Sequence, residues 1–308
     1  MRLTTLPTER GDIQVATVLP TGTVRGIVQV NHGLAEHSRC YARLTRDLTR
    51  AGQAVVLHDH RGHGTAPYAS ARRFGPGGWD RVVEDARMVQ VWASDRWNGV
   101  PLIVLGFSMG SVVALEAAAR GSEGLSGLVL AGAPVQRDPF RAVSRALLAV
   151  EGLVLGEGAA SVLFERLGFA RYNAPFAPTR TPFDWLSEER EVVDRYVADP
   201  DCGWPVRNGM AQDVLEGIDG ALRRAERGAL RSSLPILLLS GEHDPVSGGK
   251  RAVLRFADVL RRAGSSSIET AIVAGGRHNI LHGTDDHGRE AVLRWARNIA
   301  GAAEPLAA

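Results

Sequence analysis

The sequence predicts an α/β fold with a mostly parallel central sheet and helices on both of its faces. Short apolar runs alternate with helix-like segments at both ends of the chain, which is typical of a parallel sheet covered by helices. A Gly-x-Ser-x-Gly motif at residues 106–110 lies between a predicted strand and a predicted helix. Residues 135–231 show only helical patterns with proline and glycine breaks, which indicates a helical insertion.

In the first half of the chain, turn signals separate the predicted elements. A turn at Pro20-Thr21-Gly22 joins the first two strands, Gly52 ends the first helix, and apolar residues recur at helical spacing between Trp79 and Trp92. In chain order, we predict strands at 11–19, 25–31, 54–57 and 101–105 and helices at 41–50, 79–92 and 111–120.

In the second half, the alternation stops after one strand and later resumes. The run Pro-Ile-Leu-Leu-Leu-Ser marks the point at which strands return. We predict strands at 127–131, 234–240 and 267–274 and helices at 246–263 and 289–299. The insertion follows a strand end, where it can fold over the sheet as a cap. We therefore predict a first core part at 1–134, a helical cap at 135–231 and a second core part at 232–308.

Composition excludes several classes of protein. The 308 residues are 44% hydrophobic and 23% charged, which is ordinary for a globular protein. A net charge of +2 gives no indication of a nucleic-acid partner. We expect no membrane span and no secretory signal, because the apolar runs are short and the N-terminus lacks an apolar core. Two cysteines, Cys40 and Cys202, are expected to be reduced in a cytoplasmic protein. The oligomeric state stays open.

Ser108 is the candidate nucleophile. Gly106 and Gly110 remove the β-carbons that would clash where the chain turns from strand to helix within a few residues. Such a turn holds the serine hydroxyl exposed at the C-terminal edge of the sheet, which is the arrangement called a nucleophile elbow.

A serine nucleophile needs a base and an orienting carboxylate, which follow it along the chain in the order acid, then histidine. Asp244, before Pro245, follows the strand at 234–240 and is the candidate acid, with Glu242 as the alternative. His278 follows the strand at 267–274 and is the candidate base; His282 and His287 are the other histidines nearby. The neutral imidazole would take the proton of Ser108, and the carboxylate would stabilise the imidazolium.

Two backbone N–H groups are candidates for the oxyanion hole. One belongs to Met109, directly after the nucleophile, and the other to Leu34 in the loop after the strand at 25–31. The cluster at residues 58–63, His-Asp-His-Arg-Gly-His, nearly matches a metal-binding pattern, but Gly62 stands where that pattern needs a carboxylate. We therefore expect no metal and no cofactor, and interpret the cluster as a tight loop packed under the active site.

Five stretches carry a resemblance to a known family. They read His32-Gly33-Leu34-Ala35-Glu36-His37-Ser38, Asp59-His60-Arg61-Gly62-His63-Gly64, Gly106-Phe107-Ser108-Met109-Gly110, Gly241-Glu242-His243-Asp244-Pro245-Val246 and, in the insertion, Phe183-Asp184-Trp185-Leu186-Ser187 followed by Tyr196-Val197-Ala198-Asp199-Pro200-Asp201-Cys202-Gly203. On these residues the chain resembles the α/β-hydrolase superfamily and, within it, the monoacylglycerol lipase and lysophospholipase-like group, also called serine aminopeptidase S33-like. The resemblance covers nearly the whole chain.

The chain departs from the group's pattern at a few positions. Phe107 stands where the group usually has histidine, Ser111 replaces a second glycine, Cys40 replaces arginine, and Asn279 replaces an acidic residue. These departures leave every triad candidate in place. They affect the substrate expectation, because Phe107 and Cys40 would lie near the pocket floor.

The resemblance implies a serine hydrolase that cleaves monoacylglycerol-like or lysophospholipid-like esters through an acyl-enzyme. Apolar cap segments at 146–150 and 162–164 are candidates for an acyl pocket, or pack only on each other and on the core. Two alternatives stay open. One is an amide- or thioester-directed serine hydrolase, since the same triad serves all acyl transfers. The other is a binding protein that uses this fold without catalysis.

Overall fold

The computed structural model describes residues 1–9, 11–136 and 141–302. Its centre is an eight-stranded sheet with the spatial order β1-β2-β4-β3-β5-β6-β7-β8. The strands are β1 Arg2–Leu6, β2 Ile13–Val18, β3 Gly26–Asn31, β4 Gln53–His58, β5 Leu102–Phe107, β6 Leu125–Ala131, β7 Ile236–Gly241 and β8 Ile268–Val273. Strands β3 to β8 pair in parallel, whereas β1 and β2 are antiparallel at one edge. The predicted mostly parallel sheet is confirmed.

Helices cover both faces of this sheet, as predicted. The α-helices of the described residues, including those of the insertion, are α1 Ala42–Arg50, α2 Gly78–Arg96, α3 Met109–Arg120, α4 Arg141–Leu155, α5 Val162–Phe164, α6 Arg171–Asn173, α7 Arg190–Ala198, α8 Asn208–Glu226, α9 Gly249–Arg262 and α10 His287–Ala302. One apolar cluster joins the sheet to α2, α3, α8 and α9, and a second joins its other face to α1 and α10. Every residue of β3, β4, β5 and β7 is buried, as expected for central strands covered twice.

Strand β1 was not predicted. Its residues Arg2–Leu6 alternate between exposed and half-buried, and they pair with β2 only along the outer edge of the sheet. The sequence Arg-Leu-Thr-Thr-Leu lacks the continuous apolar run of the inner strands. This strand therefore depends on its pairing with β2 rather than on a hydrophobic pattern of its own.

In its described residues, the segment between β6 and β7 consists of helices joined by turns and loops, with one isolated bridge between Ala160 and Arg207. Helix α8 packs against the core helices α3 and α2 as well as against α4. The C-terminal part of the insertion thus shares the core, while its earlier part lies against the loops at the strand ends. Among the described residues, none of the helices combines the length and the apolar character that a membrane span requires.

Candidate active site

Ser108 lies at the sharp turn between β5 and α3. Its backbone has φ = 51° and ψ = −119°, a conformation that few non-glycine residues adopt. The Ser108 N–H donates to the carbonyl of Ala131 at the end of the neighbouring strand β6, at 2.8 Å. The turn is thereby fixed to the sheet, and the strained conformation is that of a nucleophile elbow.

The two glycines of the motif are required by close backbone contacts. A β-carbon on Gly106 would lie 2.1 Å from the carbonyl oxygen of Gly110. A β-carbon on Gly110 would lie 2.1 Å from the carbonyl oxygen of Asn31, at the end of β3. Both distances are far below van der Waals contact, so α3 can start this close to β3 and β5 only with glycine at both positions.

The structure brings the predicted acid and base together. His278 Nδ1 lies 2.9 Å from Asp244 Oδ1, and both side chains are buried. The Val246 N–H donates to the same carboxylate oxygen at 2.8 Å, which fixes its orientation. With Nδ1–H donated to Asp244, the neutral ring carries its lone pair on Nε2, as a general base requires.

The alternative groups occupy other places. Glu242 is exposed and accepts a hydrogen bond from the Gly275 N–H at 3.1 Å. His282 is buried, with its ring against Tyr41 and Phe107, and burial lowers its pKa to about 4. His287 is exposed at the start of α10. The geometry therefore favours the pair of Asp244 and His278 over these residues.

One cavity contains the candidate nucleophile, base and oxyanion donors. Ser108, His278, Leu34 and Met109 all line it. Within the residues that the structure describes, the N–H groups of Leu34 and Met109 have no hydrogen-bond acceptor. They are available to a developing negative charge on an oxygen held next to Ser108.

Glu36 holds the loop that carries Leu34, and sequence reasoning missed this residue. Its Oε1 accepts hydrogen bonds from the Gly33 N–H at 2.6 Å and from the Tyr41 hydroxyl at 2.5 Å. Burial, together with the nearby Cys40, raises the pKa of Glu36 to about 8. The signal for Glu36 was its place in His-Gly-Leu-Ala-Glu-His, but the sequence does not show that its carboxyl group turns back onto Gly33.

Comparison with known proteins places this geometry in a family. The family model described as serine aminopeptidase, S33 matches residues 22–285, which is most of the chain. The chain belongs to this family. The monoacylglycerol lipase of Mycolicibacterium smegmatis is 31% identical to it over 242 residues, which cover 77% of this chain and 78% of that protein. The monoglyceride lipase of Homo sapiens is 29% identical over 265 residues, which cover 85% and 78% of the two proteins.

Solved structures of esterases and lipases share the fold of this chain. A thermostable carboxyl esterase from Bacillus coagulans, in complex with glycerol, matches with a TM-score of 0.87 and 25% identity over 97% of this chain and 98% of that one. A soluble variant of the monoglyceride lipase from Saccharomyces cerevisiae has a TM-score of 0.72 and 19% identity over 97% and 95% of the two chains, which shows a shared fold. Two predictions are therefore confirmed: the α/β-hydrolase fold, and the assignment of the chain as a serine ester hydrolase of the lipase-like group.

In this S33 family member, the histidine-rich loop after β4 is held by hydrogen bonds and an ion pair. The Asp59 carboxylate accepts hydrogen bonds from the N–H groups of Ser38 at 2.8 Å and Thr65 at 2.9 Å. The Arg61 guanidinium pairs with Asp85 at 2.5 Å, and both side chains are buried. These contacts hold a tight loop beneath the site, as the sequence indicated.

The insertion of this S33 hydrolase covers the candidate triad. The Trp185 ring lies against the His278 ring, with a centroid distance of 5.2 Å. Phe107, predicted to lie near the pocket floor, lines the cavity and packs on His278 from another side, at 4.8 Å. Aromatic rings therefore restrict access of water to the imidazole.

Only some residues of the two apolar cap segments line the cavity at Ser108. Leu148 and Phe164 line the cavity. In contrast, Leu147, Val150 and Val162 face solvent, with about half of each side chain exposed. The helical period of α4 turns Leu148 inward and its neighbours outward. Further wall residues were not predicted; they are Leu167, Phe169, Tyr172, Leu215 and Ile218.

Proposed function

We propose that Ser108, His278 and Asp244 form the catalytic triad of a hydrolase that cleaves monoacylglycerol-like esters through an acyl-enzyme. One observation carries this proposal. A buried imidazole, oriented by a buried carboxylate at 2.9 Å, lines the same cavity as a strained elbow serine. Three loops that are distant along the chain meet at the C-terminal edge of the sheet, where parallel α/β folds place their ligands.

The reaction follows from the positions of these groups. His278 Nε2 accepts the proton of Ser108 as Oγ attacks the ester carbonyl carbon, and Asp244 stabilises the imidazolium that forms. The N–H groups of Met109 and Leu34 bind the oxyanion of the tetrahedral intermediate. The imidazolium then protonates the leaving alkoxide, which departs as an alcohol. A water molecule, deprotonated by His278, attacks the acyl carbonyl and releases the acid and free Ser108.

The walls of the cavity indicate the substrate class. Side chains from the insertion, including Leu148, Phe169 and Ile218, provide an apolar surface directly beside the candidate nucleophile. Such a surface suits a fatty acyl chain, and polar glycerol or lysophospholipid head groups would face the opening. The relatives described as monoacylglycerol lipases support the first of these head groups.

We extend the proposal to the organisation and location of the enzyme. The insertion at residues 135–231 would act as the cap of a core formed by 1–134 and 232–308. This division is supported by the contact of Trp185 with His278, across the boundary between the two parts. A cytoplasmic location is supported by Cys40 and Cys202, both of which are free thiols.

The test replaces Ser108 with alanine and compares it with a second serine of the same cavity. Ser108→Ala should lower kcat on monoacylglycerols by about 10³-fold or more and abolish labelling by a fluorophosphonate probe, without a change in the circular dichroism spectrum. Ser144→Ala, which also changes a cavity-lining serine, should retain labelling and most activity.

A panel of p-nitrophenyl esters, monoacylglycerols, lysophospholipids and aminoacyl anilides ranks the substrates. Preference for the anilides would reject the ester assignment. A folded wild-type protein that the fluorophosphonate does not label would indicate a binding protein instead.

A further inference from the structure

The two cysteines of the chain meet at the boundary between the core and the insertion. Cys40 belongs to the short 3-10 helix Ser38–Tyr41, just after the loop that carries Leu34. Cys202 follows α7, and its Sγ lies 3.6 Å from Cys40 Sγ although the residues are 162 positions apart. They are the only cysteines in the sequence, so the fold places all of its thiol chemistry at one point.

The surroundings favour a thiolate on Cys40. His37 Nε2 lies 3.7 Å from Cys40 Sγ and 2.9 Å from Asp199 Oδ2. The hydrogen bond with the Cys202 thiol, together with that from His37, lowers the pKa of Cys40 to about 4. Burial opposes the charge on His37, but its hydrogen bonds with Cys40 and Asp199 outweigh burial and raise its pKa to about 9. Because the imidazole of His37 contacts Cys40, and Cys40 is the less buried of the two thiols, Cys40 is the nucleophilic sulfur.

Small solutes can reach this pair. Cys40 and Cys202 line a cavity of about 420 Å³ that is separate from the one at Ser108. Four arginines and two acidic residues line it, so the arginines outnumber the carboxylates; they are Arg39, Arg43, Arg46, Arg195, Glu36 and Asp199. Positive charge beside the cavity stabilises a thiolate at its surface.

We propose that Cys40 and Cys202 form a redox-modification site that reacts with hydroperoxides and closes into a disulfide between the core and the insertion. The substrate of this site is hydrogen peroxide or a small organic hydroperoxide. The proposal is independent of the ester hydrolysis assigned to Ser108.

The chemistry balances without a further reagent. The Cys40 thiolate attacks one peroxide oxygen, the O–O bond breaks, and Cys40 becomes a sulfenic acid while the leaving oxygen takes up a proton. The sulfur of Cys202 then attacks Cys40 Sγ, so that the S–S bond forms, the S–O bond breaks, and water leaves with the Cys202 proton. Two thiols have lost two electrons to the peroxide, and the products are one disulfide and two waters, or one water and an alcohol when the oxidant is an organic hydroperoxide.

Closing this bond would add a covalent clamp at existing contacts. The Gly203 N–H and the Tyr196 hydroxyl both donate to the Ala35 carbonyl, each at 2.9 Å. Ala35 is next to Leu34, so the segment that contains Cys202 already lies against the proposed oxyanion loop. A disulfide between residues 162 positions apart also restricts the unfolded chain strongly.

A bound metal ion is the competing use of the same atoms. His37, Cys40 and Cys202 offer three ligand atoms within 4.8 Å of one another. The His37 Nε2 is, however, directed to Asp199 at 2.9 Å, and in the cavity beside it the arginines outnumber the carboxylates. Both features favour the thiolate pair over a divalent cation.

The experiment treats the reduced, full-length protein with a modest excess of hydrogen peroxide and follows intact mass, free thiols and Tm. We expect a mass loss of about 2 Da, no remaining thiol under denaturing conditions, reversal by dithiothreitol, and a rise in Tm of about 5 °C. Cys40→Ser should retain its one thiol, whereas Cys202→Ser should gain one oxygen on Cys40 as a sulfenic acid that dimedone captures, and neither variant should show a rise in Tm. Ser108→Ala should form the disulfide as readily as the wild type, which separates this site from hydrolysis.

Four results on the wild type would overturn the proposal, and a metal in the isolated protein would be a fifth. The four are a gain of oxygen mass with one thiol retained, thiols that survive the treatment, dimers linked between chains, and an oxidised protein with an unchanged Tm. Stoichiometric zinc in the isolated protein, with thiols that react only after chelation, would assign the site to a metal. If Cys202→Ser does not fold, Cys40→Ser alone supplies the control, because Cys40 is the less buried of the two.

Discussion

At the scale of single residues, a substitution of Asp244, whose carboxylate orients His278, tests the site most directly. Replacing Asp244 with asparagine keeps the shape but lets an amide donate to Nδ1, which moves the imidazole proton to Nε2. We expect kcat to fall by about 10⁴-fold, since the base would then lack its lone pair at Ser108. Steady-state kinetics on a soluble p-nitrophenyl ester measures the loss. Glu242→Gln is the matched control and should stay within about twofold, because Glu242 is exposed; the reverse pattern would make Glu242 the acid.

The raised pKa of Glu36 makes the stability of the protein depend on pH. Its pKa is about 8 in the folded protein, against an ordinary value of 4.5. Between these pH values the folded state holds a proton that the unfolded chain has lost, so stability decreases as the pH rises through this range. Glu36→Gln can keep an oxygen acceptor for Gly33 and Tyr41 but cannot ionise. We expect the unfolding free energy of the wild type to fall from pH 5 to pH 8 by more than that of the variant, with a difference above about 1 kcal/mol. Urea titrations at each pH measure this free energy. An equal decrease from pH 5 to pH 8 in both proteins would contradict the expectation.

The sequence predicted the residues whose signal is local and missed those that depend on the fold. Ser108, Asp244 and His278 could be predicted as site residues because each follows a strand of recognisable pattern. The contacts of the Glu36 carboxyl group and of the Cys202 sulfur cannot be predicted from the residues next to them in the sequence. Cys202 meets Cys40 only because the insertion folds back onto the core.

At the scale of elements, helix α8 offers two glycines with opposite roles. A β-carbon on Gly217 would lie 2.1 Å from the ring of Trp79, which is buried in α2, whereas one on Gly220 would meet nothing within 4 Å. Gly217→Ala should therefore destabilise the protein by about 1–3 kcal/mol through overpacking. Gly220→Ala should stabilise it by about 0.5–1 kcal/mol through helix propensity. Chemical denaturation of both variants checks the signs, and a stable Gly217→Ala protein would show that α8 does not press on α2 as described.

The predicted elements agree with the structure where burial dominates and differ at edges and ends. The central strands β3, β5 and β7 were recognisable because they are buried on both faces. Helix α9 begins at Gly249, three residues later than predicted, because Gly248 and Gly249 have positive φ and continue the loop that carries Asp244. A positive φ at a loop glycine cannot be predicted from the pattern of hydrophobic residues.

At the scale of the whole molecule, the two layers of helices and the insertion followed from the order of elements. The alternation of strand and helix patterns predicts a parallel sheet with helices on both faces. The long stretch without strand patterns predicts an insertion that follows a strand end. The packing of α8 on α3 was not predictable, because an amphipathic helix does not specify which partner covers its apolar side. The division between cap and core is therefore less sharp in space than along the chain.

The insertion also exposes an apolar surface that bears on how a lipid substrate reaches the site. Helix α4 turns Leu148 toward the cavity, whereas Leu153 and Val154 on its outer side are 86% and 75% exposed. Exposed apolar surface of this kind is costly in water and favours contact with a lipid interface. If monoacylglycerols are the substrates, Leu153→Gln combined with Val154→Gln should lower kcat/KM on micellar long-chain substrate by roughly tenfold.

Turnover of a soluble acetyl ester separates this effect from damage to the triad, and it should not change in the double variant. Val91→Gln provides the matched control, because Val91 is also exposed, at 57%, but lies on α2 outside the insertion. An equal loss on micellar and soluble substrates would mean that α4 supports the cavity rather than the interface. Unchanged rates on both would mean that substrate enters without contact between α4 and the lipid, and that the apolar character of this helix has another cause.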